Sequence, residues 1–197
     1  MRISFEEIIN EISKPPINWV IFRRIISISN PEELKKLFEF VEKNLFPQFR
    51  SSKVIKTFLP GSTFPAVSLT GHKCDLKCEH CKGEYLKGMI PINSPEEFIP
   101  KLTEAMNKGA KGFLISGGCD SDGQLPYEKY KDVIKEFREK TGAILNAHPG
   151  LMDITHAFYL ENIGIDFISF DFAADDEVIR NVFHLKKRET EDYLETY

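Results

Sequence analysis

Three cysteines in the run Cys74-Asp75-Leu76-Lys77-Cys78-Glu79-His80-Cys81 constrain this chain more than any other feature. Their spacing is C-x3-C-x2-C. Three thiolates on one short loop can hold three irons of a cubane 4Fe–4S cluster and leave the fourth iron without a protein ligand. A small molecule can bind at that open iron and take an electron. The fold then has to bring the loop to a place where ligand groups from elsewhere in the chain converge. Zinc is the competing reading, because Cys74, Cys78 and Cys81 with His72 or His80 would supply four N/S donors. Structural zinc sites usually take their ligands as two separated pairs, and the sequence offers no second pair. Cys119 is the fourth and last cysteine and lies far away in sequence. It reads as a buried small residue, a further ligand or a reactive thiol. Four cysteines in 197 residues is too sparse for a disulfide framework.

The remaining composition narrows the function classes. A length of 197 residues suffices for one domain with a real core and a small appendage. Hydrophobic content of 42% and charged content of 28% are ordinary for a soluble protein. A net charge of −4 carries no basic signature of nucleic-acid binding. The start, Met-Arg-Ile-Ser-Phe-Glu-Glu, places acids where a signal peptide would be apolar. Arg23 and Arg24 break the apolar segment from Trp19 to Ile28, which is too short to span a bilayer. The expectation is a cytoplasmic protein without a membrane segment, in a reducing compartment that suits thiolate ligands.

Two regions follow from the patterning. Residues 1–53 read as a helical segment. Ile8, Ile9 and Ile12 share a face, Pro15-Pro16 break the pattern, and Ile17 to Ile28 is apolar at mixed spacing. A helix begins at Asn30 as N-cap with Pro31 next and Glu33 in the capping position, and Leu34, Leu37, Phe38 and Val41 recur along it. Residues 54–197 alternate short β-rich runs with helices. Strands are expected at Phe64–Thr70, Gly112–Ser116, Ala143–Ala147 and Asp166–Phe172. Between them, Ser94-Pro95-Glu96-Glu97 reads as a capping box opening a helix to Lys108. Pro126 opens a helix stopped by Gly142, Asp153 caps one ending near Gly164, and two more fall around 175–183 and 188–197. Such alternation implies an α/β fold with a parallel sheet whose ligands gather at the carboxyl ends of the strands. On that rim fall the cysteine loop, Ser116-Gly117-Gly118-Cys119-Asp120, Asn146 with His148, and Ser169 with Asp171. The paired glycines after a buried strand read either as a tight turn or as room for close approach of a ligand.

The cysteine spacing with His80, together with Ile115-Ser116-Gly117-Gly118 after the next strand, resembles the signature of radical S-adenosylmethionine (SAM) enzymes. The resemblance runs from about Phe64 to the C-terminus. It implies a 4Fe–4S cluster on Cys74, Cys78 and Cys81, SAM chelated at the open iron, and reductive cleavage of SAM to methionine and a 5′-deoxyadenosyl radical. It also implies an outside electron donor. In that family a Gly-Gly-Glu-like motif meets the amino group of SAM, and His80 occupies a position beside the adenine. Here Cys119 replaces the acid, so the backbone around Ser116, Gly117 and Gly118 takes that part. Asn146, His148, Ser169 and Asp171 complete the expected cofactor pocket.

A narrower resemblance rests on Ser68-Leu69-Thr70-Gly71, Glu79-His80-Cys81-Lys82-Gly83-Glu84-Tyr85-Leu86, Leu114 to Asp120 followed by Gly123, Asn146-Ala147-His148-Pro149-Gly150, and Val182-Phe183-His184-Leu185. These look like the two-component lipoyl synthases. That likeness implies sulfur insertion into a protein-bound octanoyl chain, a second radical SAM subunit, an octanoylated carrier domain, and a sulfur-donating auxiliary cluster. Cys119 alone cannot supply an all-cysteine second site. Radical SAM cores usually have six βα units, and four are counted here, which gives a partial barrel. The expectation is a truncated core or one completed by another chain, with an apolar edge open at Phe167–Phe172. Other radical SAM modification of RNA or peptide, and a non-catalytic Fe–S or zinc-binding partner subunit, are the competing readings.

Overall fold

In the computed structural model, residues 4–13, 21, 24–25, 27–45 and 61–197 are described. The chain divides into units Met1–Phe58 and Leu59–Tyr197. The boundary drawn at residue 53, Pro15-Pro16 and most of Ile17 to Ile28 lie outside the described residues.

In the first unit, Ser4 starts helix α1 (Phe5–Ile12) with a closed capping box, its hydroxyl taking the Glu7 amide while the Glu7 carboxylate takes the Ser4 amide. Asn30 caps α2 (Pro31–Phe40) by accepting from the amides of Glu32 and Glu33. Glu33 does not complete a box there; its carboxylate lies 3.3 Å from Arg24. Ile8, Ile12, Ile21, Ile28 and Leu37 form the buried cluster of this unit. Phe38, expected on the same apolar face, is 68% exposed. A π-helical turn, Val41–Leu45, follows α2.

The second unit is a five-stranded parallel sheet flanked by helices. Its strands are β1 (Ala66–Ser68), β2 (Ile90–Pro91), β3 (Gly112–Ser116), β4 (Ile144–Ala147) and β5 (Phe167–Ile168), in the spatial order β2-β1-β3-β4-β5. Helices α3 (Pro95–Asn107), α4 (Tyr127–Thr141) and α5 (Ile154–Asn162) connect β2 to β3, β3 to β4 and β4 to β5. Helices α6 (Asp176–Asn181) and α7 (Thr190–Thr196) follow β5. Strand β3 is buried along nearly its whole length, with Phe113 and Ile115 in the main core cluster. Phe98, Phe113 and Phe137 meet edge to face behind it, with centroids 5.9 and 5.7 Å apart. Tyr127 and Tyr130 put their hydroxyls on the carbonyls of Ile115 and Leu69, at 2.7 Å each, and so tie α4 to the ends of β3 and β1.

Three sequence expectations change. The sheet holds five strands because Ile90–Pro91 adds itself outside β1; two residues, one of them proline, carry no legible strand signal. The run expected to be a strand through Phe172 pairs only at Phe167 and Ile168, after which Phe170 and Phe172 turn to pack on Tyr193. At the start of α3 the Ser94 side chain makes no cap bond. The Glu97 carboxylate instead accepts from the Asn93 amide at 3.0 Å and pairs with Lys101. The two-residue β5 is the sheet edge expected to be open, with Phe167 62% and Ile168 43% exposed. Among the described residues no helix is long and apolar enough to cross a membrane.

Candidate cluster and cofactor site

The strand order creates the site. From β1 the chain steps to β2 on one side, and then α3 returns it to β3 on the other. A parallel sheet opens a crevice at the carboxyl ends of its strands where the direction of strand addition reverses. That place lies between β1 and β3, whose last residues Ser68 and Ser116 are in register. The cysteine loop leaves β1 there, and Gly117-Gly118 leaves β3.

The loop is held at both ends. Thr70 donates its hydroxyl to the Lys73 carbonyl and accepts the Gly118 amide, each at 2.8 Å. The Asp75 amide donates to the Cys119 carbonyl at 3.0 Å. The Cys81 and Lys82 amides both donate to the Cys78 carbonyl, a turn helped by left-handed φ angles of 46° at Lys77 and 50° at Lys82. Built Cβ positions show what the glycines do. A Cβ on Gly118 would collide with the Lys73 carbonyl and the Cys74 side chain. One on Gly117 would press on Thr70, Leu125 and Leu69 at 3.1–3.3 Å. The missing side chain of Gly118 makes room for the cysteine loop, and both glycines also line the cavity beside it.

The three thiols line a cavity of about 470 Å³. His80, Ser116, Gly117, Gly118, His148, Ser169 and Asp171 line the same cavity. Asn146 does not line it; its amide donates to the Ser169 hydroxyl at 2.9 Å and so orients a residue that does. His148 bridges two strand ends, with Nδ1 3.3 Å from Ser116 Oγ and Nε2 3.3 Å from the Asp171 carboxylate. The ring of His80 meets Phe183 edge to face at 5.3 Å. His72 is turned away, its Nδ1 3.2 Å from the Leu86 carbonyl. Phe170, Phe183 and Tyr193 form an aromatic wall that motif reading did not single out as cavity lining. They come from three separate segments with no local pattern. A second cavity, about 580 Å³, shares Cys74, Gly118 and Cys119 as a wall but holds neither Cys78 nor Cys81.

The electrostatics follow from crowding thiols in a half-buried space. Burial pushes the Cys78 thiol up to about 11, and the neighbouring Cys81 and Cys74 add to it. Burial pushes Cys119 up to about 12, with further contributions from Cys74, Cys78, Asp120 and Cys81. Cys119 packs among both hydrophobic clusters of the unit. Among the described residues, no three His, Cys, Asp or Glu side chains converge on a point suited to a single ion. Three soft thiolate donors spread around one roomy cavity, with the half-buried Cys119 as the fourth cysteine lining it, suit a cluster with an open corner. Ser116, His148, Ser169 and Asp171, at or just after the ends of β3, β4 and β5, line the same cavity.

The family model described as the radical SAM superfamily matches residues 68–197. No curated protein matches the chain in sequence. Among solved structures, the crystal structure of methylornithine synthase (PylB) is similar at a TM-score of 0.46 and 14% identity. That likeness covers 96% of this chain, which spans 53% of the length of the PylB chain. The match over most of the second unit shows that this chain belongs to the radical SAM superfamily, whose enzymes use a 4Fe–4S cluster and S-adenosylmethionine.

Proposed function

We propose that this chain is the SAM-cleaving partner in a two-component, lipoyl-synthase-type sulfur insertion. The observation that carries the reading is the shared cavity, where Cys74, Cys78 and Cys81 face Ser116, His148, Ser169 and Asp171. Bound here, a 4Fe–4S cluster and SAM would supply reductive one-electron chemistry at the sulfonium. Cys74, Cys78 and Cys81 hold the cluster. The backbone of Ser116, Gly117 and Gly118 would meet the methionyl end of SAM, while His148, held between Ser116 and Asp171, and Ser169, oriented by Asn146, would contact the rest. His80, which lines the cavity, would lie beside the adenine. Phe170, Phe183 and Tyr193 keep water off one side.

The finer assignment is supported by the motifs around Cys81, His148 and His184 and by cysteine supply. These 197 residues hold four cysteines, so a sulfur-donating auxiliary cluster would take its thiols from elsewhere, which suits a second radical SAM subunit. The exposed pair Phe167 and Ile168 on the edge strand is a docking edge suited to that subunit. The substrate is then an octanoyl chain on a small carrier domain, and a reducing electron donor feeds the cluster.

Anaerobic reconstitution with iron and sulfide, then reduction with SAM, tests the reading. 5′-Deoxyadenosine is expected from the wild type and is lost in Cys74→Ala, Cys78→Ala and Cys81→Ala. Stoichiometric zinc without labile sulfide would sink the cluster assignment and leave a structural metal site. SAM cleavage without sulfur insertion, with any second subunit and octanoylated carrier, would remove the lipoyl assignment and favour another radical SAM modification.

A further inference from the structure

A segment more than a hundred residues downstream grips the cysteine loop. The Glu79 amide donates to the Val182 carbonyl at 2.8 Å. The Cys78 thiol lies 3.4 Å from the Phe183 carbonyl. His184 makes the remaining contacts: Nδ1 donates to the Leu76 carbonyl at 2.7 Å, and Nε2 faces the Glu79 carboxylate at 3.2 Å. His184 takes these positions from a left-handed backbone, φ 62°, in the turn between α6 and α7. A non-glycine residue rarely adopts that conformation without compensation. Behind the turn, Leu185 is buried, and Phe183 stacks on Tyr193 at 6.2 Å, so the grip has a rigid base.

The loop's own amide bonds run from Cys81 and Lys82 to the Cys78 carbonyl and fix only that turn. The stretch from Leu76 to Glu79 carries Cys78; Glu79 also pairs with Lys82 inside the loop at 3.3 Å, while the hydrogen bonds that tie the stretch to a distant segment go to Val182, Phe183 and His184. We propose that His184 is a positioning residue that clamps the cysteine loop and sets Cys78 in its ligand-bearing place before the cluster arrives. The proposal rests on reading that loop as the cluster site. It assigns His184 no contact with SAM or substrate. Its consequence is preorganisation: a loop already held in shape loses less freedom when the cluster binds and releases iron more slowly.

Two variants separate side chain from backbone. His184→Gly relieves the left-handed angle and deletes both ring contacts. His184→Asn tolerates the angle and keeps a donor for the Leu76 carbonyl. The first measurement is amide hydrogen exchange in the cluster-free protein. Exchange at Glu79 and Lys82 is expected to speed up about tenfold in His184→Gly, the weight of one or two hydrogen bonds, with β3 and α4 unchanged. The second is iron loss to a chelator after anaerobic reconstitution, expected to quicken by a similar factor of about ten and to be largely rescued in His184→Asn. Unchanged exchange at Glu79 in His184→Gly overturns the proposal. So does equal loss of protection across β3 and α4, which would make His184 a general fold residue. Zinc without labile sulfide would refute the cluster reading, while the exchange measurement still decides the clamp.

Discussion

Gly118→Ala offers a sharp test of how the cysteine loop is seated. The added methyl would fall on the Lys73 carbonyl and Cys74 Cβ, and 2.6 Å from Cys74 Cα. Ordinary contact begins near 3.4 Å, so the leg of the loop carrying Cys74 has to retreat by about 0.8 Å or more. These obstacles are main-chain atoms and a Cβ, not the free end of a flexible side chain. Gly118 is not among the residues of positive φ, so the effect is contact alone and not backbone strain. The retreat also pulls on the Gly118 amide bond to Thr70 at 2.8 Å and the Asp75 amide bond to Cys119 at 3.0 Å. Overpacking of this kind costs about 1–3 kcal/mol. For a unit of this size that lowers the melting midpoint by roughly 3–10 °C. The assays are thermal unfolding of the cluster-free protein and iron and labile sulfide content after reconstitution. Gly118→Ala should lose both stability and most of its iron. Gly88→Ala is the internal control: no heavy atom lies within 4 Å of its methyl, and Gly88 is not among the residues of positive φ. It should cost less than about 1 kcal/mol and keep the iron. A Gly118→Ala protein with unchanged midpoint and full iron, or a Gly88→Ala protein that fares worse, refutes the seating argument.

Three further outcomes are expected. Cys119, pushed up to about 12, should react with iodoacetamide near pH 8 at least about tenfold more slowly than an ordinary thiol until the protein is denatured; labelling at the rate of an ordinary thiol in the folded, cluster-free protein would contradict the raised value. Tyr130→Phe removes the 2.7 Å bond to the Leu69 carbonyl and should cost about 1–2 kcal/mol in denaturant unfolding, with far-UV circular dichroism unchanged. The Asp153 carboxyl is held below its ordinary value of 3.8, chiefly by the His156 amide at the start of α5 and then by the His156 ring. A depressed folded value means its contribution is complete above the unfolded value and lost as pH falls through the folded one. The stability gap between wild type and Asp153→Ala should therefore be full near neutral pH and close below 3.8, and a gap that persists in strong acid would contradict the cap.

What the sequence determined by itself is local. The cysteine spacing puts three donors on one loop whatever surrounds it. Asn30 before Pro31, Asp153 before α5 and Gly142 at the end of α4 act within a few residues, and each helix starts or stops where they stand. Gly112–Ser116 was legible as a strand because both its faces are buried, which leaves an unbroken apolar run. The tertiary structure decided what depends on distant partners. Ile90–Pro91 is a strand only because β1 offers it an edge, and that pairing sets the crevice between β1 and β3. The last strand stops after Ile168 because Phe170 and Phe172 gain more by packing on Tyr193 than by extending an exposed edge. Gly117 and Gly118 look alike in sequence, yet one would press on side-chain ends and the other on the main chain of the cysteine loop. The motif around His184 was visible as a run of letters. Its grip on Leu76 spans 108 residues, and no local pattern encodes a contact made only when the two ends of the unit meet.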